Sequence, residues 1–395
     1  MTQSIQAGIK ILVVDDETDM ESMIRQKFRR HIRDKSYDFE FAFNGLEALE
    51  KITEFPEIGI VLSDINMPEM DGLTLLSRLK ELNNPGLKTV IVSAYGDMDN
   101  IRTAMNRGAF DFITKPVNFN DLEITINKTL DEILSIRQWL REHEQLTLIQ
   151  HDLIISREIQ LAILPKKFPP FPEVSGFDIY AAMVAANEVG GDFYDFFMID
   201  DHRLGFVIGD VSGKGISAAL FMAVSRTLIR ATALKGDPSS ACIGHVNNLL
   251  CKESVSSMFV TVFYGILDTL TGEVEYVNAG HNPPYILSAG GISRVEMTNG
   301  MALGVVDDFN YESKTMYLKN GEQLLLYTDG VVEAFNPEEE AYGDERFENF
   351  LKQSRHLPIE ATVKKTFVEL NDFANGASQS DDITLLGINF NGQNV

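Results

Sequence analysis

Five short apolar runs recur through the first third of the chain, each followed by a polar break. They are "KILVV" at 10–14, a run near 38–43, "IGIVLSD" at 58–64, "KTVIVSA" at 88–94 and "AFDFITKP" at 109–116. Helical stretches such as "DGLTLLSRLKEL" lie between them. Five strands alternating with helices over roughly 120 residues predict a doubly wound α/β domain with a five-stranded parallel sheet. The pattern then changes period. From Asp121 to Leu164 there is neither Gly nor Pro, and Ile126, Ile133, Leu140, Ile154 and Leu161 recur at multiples of seven, with Thr147 in the vacant step. This predicts a long helix with a coiled-coil seam. The companion apolar line is flawed: Leu130 fits it, but Arg137 and Glu144 follow. The proline-rich "LPKKFPPFP" ends the helix.

From 175 to 390 the pattern changes again. Short strands are expected in "GFDIYAAMVAA", "DFYDFFMID", "HRLGFVIGD", "MFVTVFYGILD", "GEVEYVNAG", "EQLLLYTDG" and "DDITLLGINF". Helices are expected in "GISAALFMAVSRTLIRATAL" and at about 345 to 373. Strands with helices grouped between them predict an α+β layered fold, two sheets flanked by helices. The expected organisation is therefore residues 8–125, a helical linker at 126–165, and a second domain at 166–395.

In doubly wound sheets function gathers beyond the C-terminal strand ends. There the first domain places Asp15 and Asp16 after strand one, Asp64 at the end of strand three, Ser93 on strand four and Lys115 on strand five. Three carboxylates in one crevice call for a cation, and an all-oxygen set suits Mg²⁺. With a lysine and a hydroxyl beside them, this is a site for a carboxylate that accepts a phosphoryl group. A single strand-end Asp is often only a helix cap; the weight lies in all five positions occurring in chain order.

The second domain repeats the theme. "GFVIGDVSGKGISAAL" has a glycine-rich turn between strand and helix but lacks phosphate-loop spacing, and it carries Asp210. Asp192, Asp329 and Asp381 stand at comparable strand ends in "EVGGDFYD", "YTDGVVEA" and "SDDITLL". Four such carboxylates converge only around cations, and two hard ions would activate water toward phosphorus. The glycines of the Asp210 turn are expected to make room for a backbone carbonyl and for water. No Ser or Cys nucleophile with a base is evident. His281 in "NAGHNPP" reads first as part of a tight turn, with proton relay as the alternative. Lys214 is left open between solvent and a substrate phosphate.

The motifs "VVDDE", "SDINMPEMDG", "VSAYG" and "FITKP" resemble the receiver domain of two-component response regulators. That resemblance implies phosphorylation of Asp64 by a sensor histidine kinase or phosphotransfer protein. It implies Mg²⁺ held by Asp15, Asp16 and the Asn66 carbonyl, contacts from Ser93 and Lys115 to the phosphoryl oxygens, and Phe112 as the switch aromatic. The motifs "EVGGDFYDFF", "GDVSGKGISAAL", "VNAGHNPP", "LLLYTDGVVEA" and "SDDITLL" resemble the PPM family of metal-dependent serine/threonine phosphatases, in its SpoIIE-like branch. This implies two Mn²⁺ or Mg²⁺ ions on Asp192, Asp210, Asp329 and Asp381, with the Val211 carbonyl. It also implies a phosphorylated STAS-domain anti-sigma-factor antagonist as substrate. The rival reading is an adaptor that uses a phosphatase fold only to capture a sigma factor or regulator; retention of all four aspartates argues against it.

Bulk properties trim the alternatives. A net charge of −24 gives no footprint for nucleic acid. No signal-peptide core or membrane span is expected, and Cys242 and Cys251 form neither a disulfide framework nor a zinc pattern, so a cytoplasmic protein is expected. The linker seam leads us to expect a homodimer.

Overall fold

The structure, a computed structural model, describes residues 9–94, 96–174, 176–253 and 258–392. Residue 8, Tyr95 of "VSAYG" and 393–395 lie outside the described residues. The chain divides into two compact units, Met1–Ile149 and Gln150–Val395.

In the first unit, β1 (Lys10–Val14), β2 (Asp38–Ala42), β3 (Ile58–Asp64), β4 (Lys88–Ala94) and β5 (Asp111–Lys115) form one parallel sheet in the order β2-β1-β3-β4-β5. All five expected strands are present. Helices α1 (Thr18–Lys27), α2 (Arg29–Arg33), α3 (Gly45–Glu54), α4 (Gly72–Glu81) and α5 (Met98–Arg107) connect them. Successive strand residues point to opposite faces. Ile11 and Val13 thus enter a core with Ile24, Phe28 and Ile60, while Leu12 and Val14 enter another with Ala48, Val61 and Leu75. Two helix starts are written locally. Asn44 caps α3 by accepting the Glu47 N–H at 2.9 Å, and Glu47 accepts the Phe43 N–H at 2.8 Å. Asp71 caps α4 by accepting the Thr74 N–H at 2.7 Å.

The long helix is α6 (Phe119–Ile163). Its expected seam needs correction. Ile126 and Ile133, the first two members of the sevenfold line, are fully buried with Leu122 and Leu130 in the core of the first unit. Over two turns, a helix packing on its own domain and a coiled-coil seam have the same apolar spacing. From 138 to 152 every residue is exposed, including Trp139, Leu140, Leu146, Leu148 and Ile149.

The second unit has two antiparallel sheets. One contains β7 (Phe193–Met198), β8 (Arg203–Val211), β9 (Val260–Asp268), β10 (Glu273–Ala279) and β13 (Lys314–Tyr317), in the order β13-β10-β9-β8-β7. The other contains β6 (Phe177–Val184), β11 (Tyr285–Ser288), β12 (Gly291–Arg294), β14 (Gln323–Tyr327) and β15 (Ile383–Phe390), in the order β12-β11-β14-β15-β6. Leu324, Leu326, Leu386 and Ile388 face the first sheet's Phe206, Ile208 and Phe263 in one core. Leu325, Tyr327 and Leu385 turn the other way, onto α9 (Gly343–Ser354) and α10 (Ile359–Ala374). Helices α7 (Ile216–Ala233) and α8 (Ser239–Glu253) cover the outer face of the first sheet.

Three features depart from the sequence reading. The helix expected at 345–373 is broken into α9 and α10, with Pro358 at the start of α10, where its missing N–H costs nothing. Helix α8 was not expected. It buries Cys242, Ile243, Val246 and Leu250 together with the polar Asn247, which blurs its apolar stripe. Strands β11, β12 and β13 have four residues each, too few for a period to show. Helix α7 is long and apolar enough to cross a membrane by composition, yet Ala218, Met222, Ile229 and Ala233 are fully buried in the core. It is also pinned by charge: Asp195 on β7, wholly buried, meets Arg226 and Arg230 at 2.8 Å each. Both cysteines are free.

Candidate functional site

Parallel order brings the ends of β1, β3 and β5 together in the first unit. One carboxylate oxygen from each of Asp15, Asp16 and Asp64 lies within 4.8 Å of the others. Lys115 Nζ is 2.6 Å from Asp64 Oδ2, 3.0 Å from Asp15 Oδ2 and 3.4 Å from Glu17 Oε1. Burial, which disfavours an ammonium, is outweighed by the hydrogen bonds that Lys115 donates to Asp64 and Asp15, so the Lys115 pKa is raised. Asp15 is also raised, chiefly by burial, against the pull of the Glu17 N–H and of Lys115. Asp64 Oδ1 accepts the N–H groups of Ile65 at 2.6 Å and Asn66 at 3.4 Å, which fixes the carboxyl against its own loop. Ser93 is buried beside this cluster, one residue past Val92, the register partner of Asp64. Its hydroxyl donates to Asp97 Oδ2 at 3.2 Å rather than to Asp64. Phe112 on β5 is exposed. The oxygen set and its one lysine fit a hard divalent ion and an incoming phosphoryl group.

In the second unit the four aspartates come from both sheets. Asp192 precedes β7 and Asp210 lies on β8; Asp329 follows β14 and Asp381 precedes β15. Asp192 is completely buried. Burial first, then the charges of Asp210 and Asp382, hold its carboxyl well above the usual range. Asp210 is pushed up to about 7 by burial and by Asp329 and Asp381, with a hydrogen bond to Asp192 acting the other way. Asp329 is raised by burial, Glu333 and Asp381. Carboxylates that penalise one another in this way fit divalent cations, which would reverse each of those penalties. The Val211 carbonyl points at the same loop: a Cβ on Gly191 would lie 2.9 Å from its oxygen.

Several residues of this centre were not foreseen. Thr328 Oγ1 donates to Asp192 Oδ2 at 2.7 Å and accepts the Thr384 N–H at 2.9 Å, joining the two sheets. Asp382, the second acid of "SDD", accepts the N–H groups of Ala186 at 2.8 Å and Gly191 at 2.6 Å. Only the doubled acid hinted at it. Lys214, half-exposed, has its Nζ 3.1 Å from Asp381 Oδ2 and donates to the Ser380 carbonyl at 2.5 Å. His281 is buried, exchanges two hydrogen bonds with Asn278, and has Nδ1 2.9 Å from Thr261 Oγ1. Burial lowers its pKa to about 4. The two bonds to Asn278 run through the His281 backbone and close the turn of "NAGHNPP". The glycines around Lys214 are also set by the backbone. Gly213 and Gly215 have φ of +89° and +78°, with open space where a Cβ would stand, so it is the turn's handedness that requires them.

Both units match known proteins. Residues 11–127 match the response regulator receiver domain, and residues 200–391 match Stage II sporulation protein E (SpoIIE). The chain is 32% identical over 264 residues to protein IcfG of Synechocystis sp., covering 59% of this chain and 40% of that protein. It is 29% identical over 198 residues to phosphoserine phosphatase RsbU of Bacillus subtilis, covering 49% and 58% respectively. The chain thus spans about half the length of the curated relatives it matches. Among solved structures, the SiaA-PP2C domain of Pseudomonas aeruginosa shares the second unit's fold, with a TM-score of 0.55 at 21% identity, covering 62% of this chain and 98% of that one. The chain carries a response-regulator receiver domain followed, through a long helix, by a phosphatase domain of the SpoIIE/PPM type.

Proposed function

We propose that this chain is a response regulator whose output is a metal-dependent phosphoprotein phosphatase. The observation that carries the reading is the interaction of Asp210 with Asp192, Asp329 and Asp381 across the two sheets, with Asp210 pushed up to about 7 by burial first and then by Asp329 and Asp381. Two Mn²⁺ or Mg²⁺ ions on these four carboxylates and the Val211 carbonyl would supply Lewis acidity toward a phosphate ester and make water nucleophilic at neutral pH. The chain's own residues prepare that site. Thr328 orients the Asp192 carboxyl, Asp382 holds the loop before it, and Lys214 offsets the charge of Asp381.

In the receiver, Asp64 is the proposed phosphoryl acceptor. Asp15, Asp16 and the Asn66 carbonyl would hold Mg²⁺; Lys115 and Ser93 would contact the phosphoryl oxygens. Lys115 already touches Asp64, while Ser93 must leave Asp97 to do so. A sensor histidine kinase or phosphotransfer protein is the proposed donor. The proposed substrate is a phosphoserine or phosphothreonine on a STAS-domain anti-sigma-factor antagonist. Support comes from the relatives named phosphoserine phosphatases, RsbU and RsbP of Bacillus subtilis. A cytoplasmic location and a homodimer through the exposed part of α6 complete the proposal.

The test is hydrolysis of p-nitrophenyl phosphate and of a serine-phosphorylated STAS protein, with and without Mn²⁺, before and after acetyl phosphate. Mn²⁺-dependent turnover that changes with receiver phosphorylation supports the reading. Turnover indifferent to Mn²⁺, or none with either substrate, overturns it.

A further inference from the structure

A groove of about 350 Å³ opens at the end of the second sheet that carries Asp329 and Asp381. It is lined by Val184 at the end of β6, Phe335 after β14, Phe367, Leu370 and Ala374 on α10, and Gln379 before β15. None of its lining residues carries a charge, although the chain as a whole stands at −24. Val184 is 45% and Phe335 39% exposed, so both offer apolar surface to water. The groove is tied to the acidic centre by hydrogen bonds. Gln379 Nε2 donates to the Asp381 carbonyl at 2.7 Å and to the Val184 carbonyl at 2.8 Å. Ser380, between Gln379 and Asp381, donates its hydroxyl to the Glu333 carbonyl at 2.9 Å. Glu333 adjoins the lining residue Ala334 and is one of the charges that raise the Asp329 pKa. The groove wall and these two aspartates thus belong to the same two loops. Gln379 stands two residues before Asp381, a separation that an extended chain spans in at most about 7 Å.

We propose that this groove is a specificity pocket of the phosphatase domain, and that its occupant is an apolar side chain of the substrate protein, two or three residues from the phosphorylated serine or threonine. The proposal rests on the reading of the acidic centre as a phosphoprotein phosphatase site, and it deepens that reading by naming the sequence the site selects. A phosphorylated side chain is short, so a phosphate delivered to Asp329 and Asp381 brings the substrate backbone over this end of the sheet. An extended chain advances about 3.3 Å per residue, which carries the second or third neighbour to the groove. An uncharged, mostly apolar recess there stabilises an apolar side chain. It disfavours a charged one, which would give up water without gaining a partner. Ala374 is small and half-buried, so it is the position at which a larger side chain would fill the space.

The experiment uses the full chain with Mn²⁺ and a series of alanine peptides around a central phosphoserine, with a single leucine or glutamate moved from position to position. Phosphate release gives kcat/KM for each peptide. Turnover of p-nitrophenyl phosphate, too small to reach the groove, is measured alongside. Leucine two or three residues to one side of the phosphoserine is expected to raise kcat/KM about tenfold or more over the all-alanine peptide, as burial of one aliphatic side chain does. Glutamate there is expected to give no gain. Ala374→Phe, which fills the groove, and Phe335→Ser, which removes a wall, are each expected to erase the leucine gain and leave p-nitrophenyl phosphate turnover unchanged. Equal kcat/KM for leucine at every position in the parent overturns the proposal, as does a gain that survives both variants. Loss of both substrates in equal proportion in the variants overturns it too, because the groove then supports the ion centre rather than recognition. If the parent releases phosphate from neither ester with Mn²⁺, the phosphatase reading itself is wrong, and the pocket falls with it.

Discussion

Gly190 and Asp382 approach so closely that a Cβ on the glycine would lie 2.2 Å from the Asp382 Oδ2 atom. The same oxygen accepts the next residue's N–H. The glycine is required by space, and the carboxylate by the donors turned toward it. Gly190→Ala is therefore expected to push the loop off Asp382 and lower both stability and turnover. Asp382→Asn is expected to cost about 3 kcal/mol, since an amide cannot accept from every donor that the carboxylate serves, and hydrogen bonds to charged groups are worth roughly 1.5–3 kcal/mol each. Urea unfolding with parallel turnover measurements checks both.

Asp210→Asn is expected to separate stability from activity. Without ions, Asp210 sits among carboxylates with its pKa raised from 3.8 to about 7. A raised folded pKa means that ionisation destabilises the metal-free fold above 3.8, fully so above about 7. The neutral amide should thus raise the metal-free melting temperature at pH 8, while lowering turnover about 100-fold and weakening Mn²⁺ binding. Wild-type Mn²⁺ affinity should also fall as pH drops through 7, because a proton then competes for the ligand. Calorimetry with and without Mn²⁺ reads the first effect and ion titration the others.

Asp64→Asn is expected to abolish phosphorylation by acetyl phosphate while the domain stays folded, since Asn still offers an acceptor to the Ile65 N–H. Labelled phosphate at the wild-type level in the variant would remove Asp64 as acceptor.

The exposed part of α6 carries the dimer proposal. Leu146→Asp with Ile149→Asp is expected to weaken self-association and leave the receiver folded, because both side chains are exposed. Ile133→Asp is expected instead to unfold the receiver, because Ile133 is fully buried in its core. Light scattering and circular dichroism distinguish the two outcomes. A double variant that associates as the wild type does would make this stretch a spacer.

His281 should lend the second domain acid sensitivity. Its pKa is lowered by burial from 6.5 to about 4. The unfolded chain therefore takes up the extra proton first. The neutral side chain's contribution is complete above 6.5 and is lost as pH falls toward 4, up to about 3 kcal/mol. His281→Gln, which does not titrate, should flatten that part of the stability profile, as measured by unfolding between pH 7.5 and 5.

What the sequence determined by itself was local or periodic. The five receiver strands show as apolar runs, and Asp64 and Lys115 show as strand-end residues because a parallel sheet places those ends together. The four phosphatase aspartates stand in turns whose glycines and small residues are legible one by one. Tertiary structure decided what depends on a distant partner. Ile126 and Ile133 have the spacing of a seam, and only the receiver's Phe28 and Ile60 decide that they turn inward. Asp381 and Asp382 are adjacent acids with no local difference. One meets Lys214, 167 positions before it in the chain, while the other, across the strand's alternation, meets the backbone of Gly191. Gln160 reads as one more polar residue on a helix, because the carbonyl and N–H that it satisfies belong to a loop thirty residues later. Periodicity reports which face is buried; the partner that buries it is set by chain closure over long separations, which no local pattern encodes.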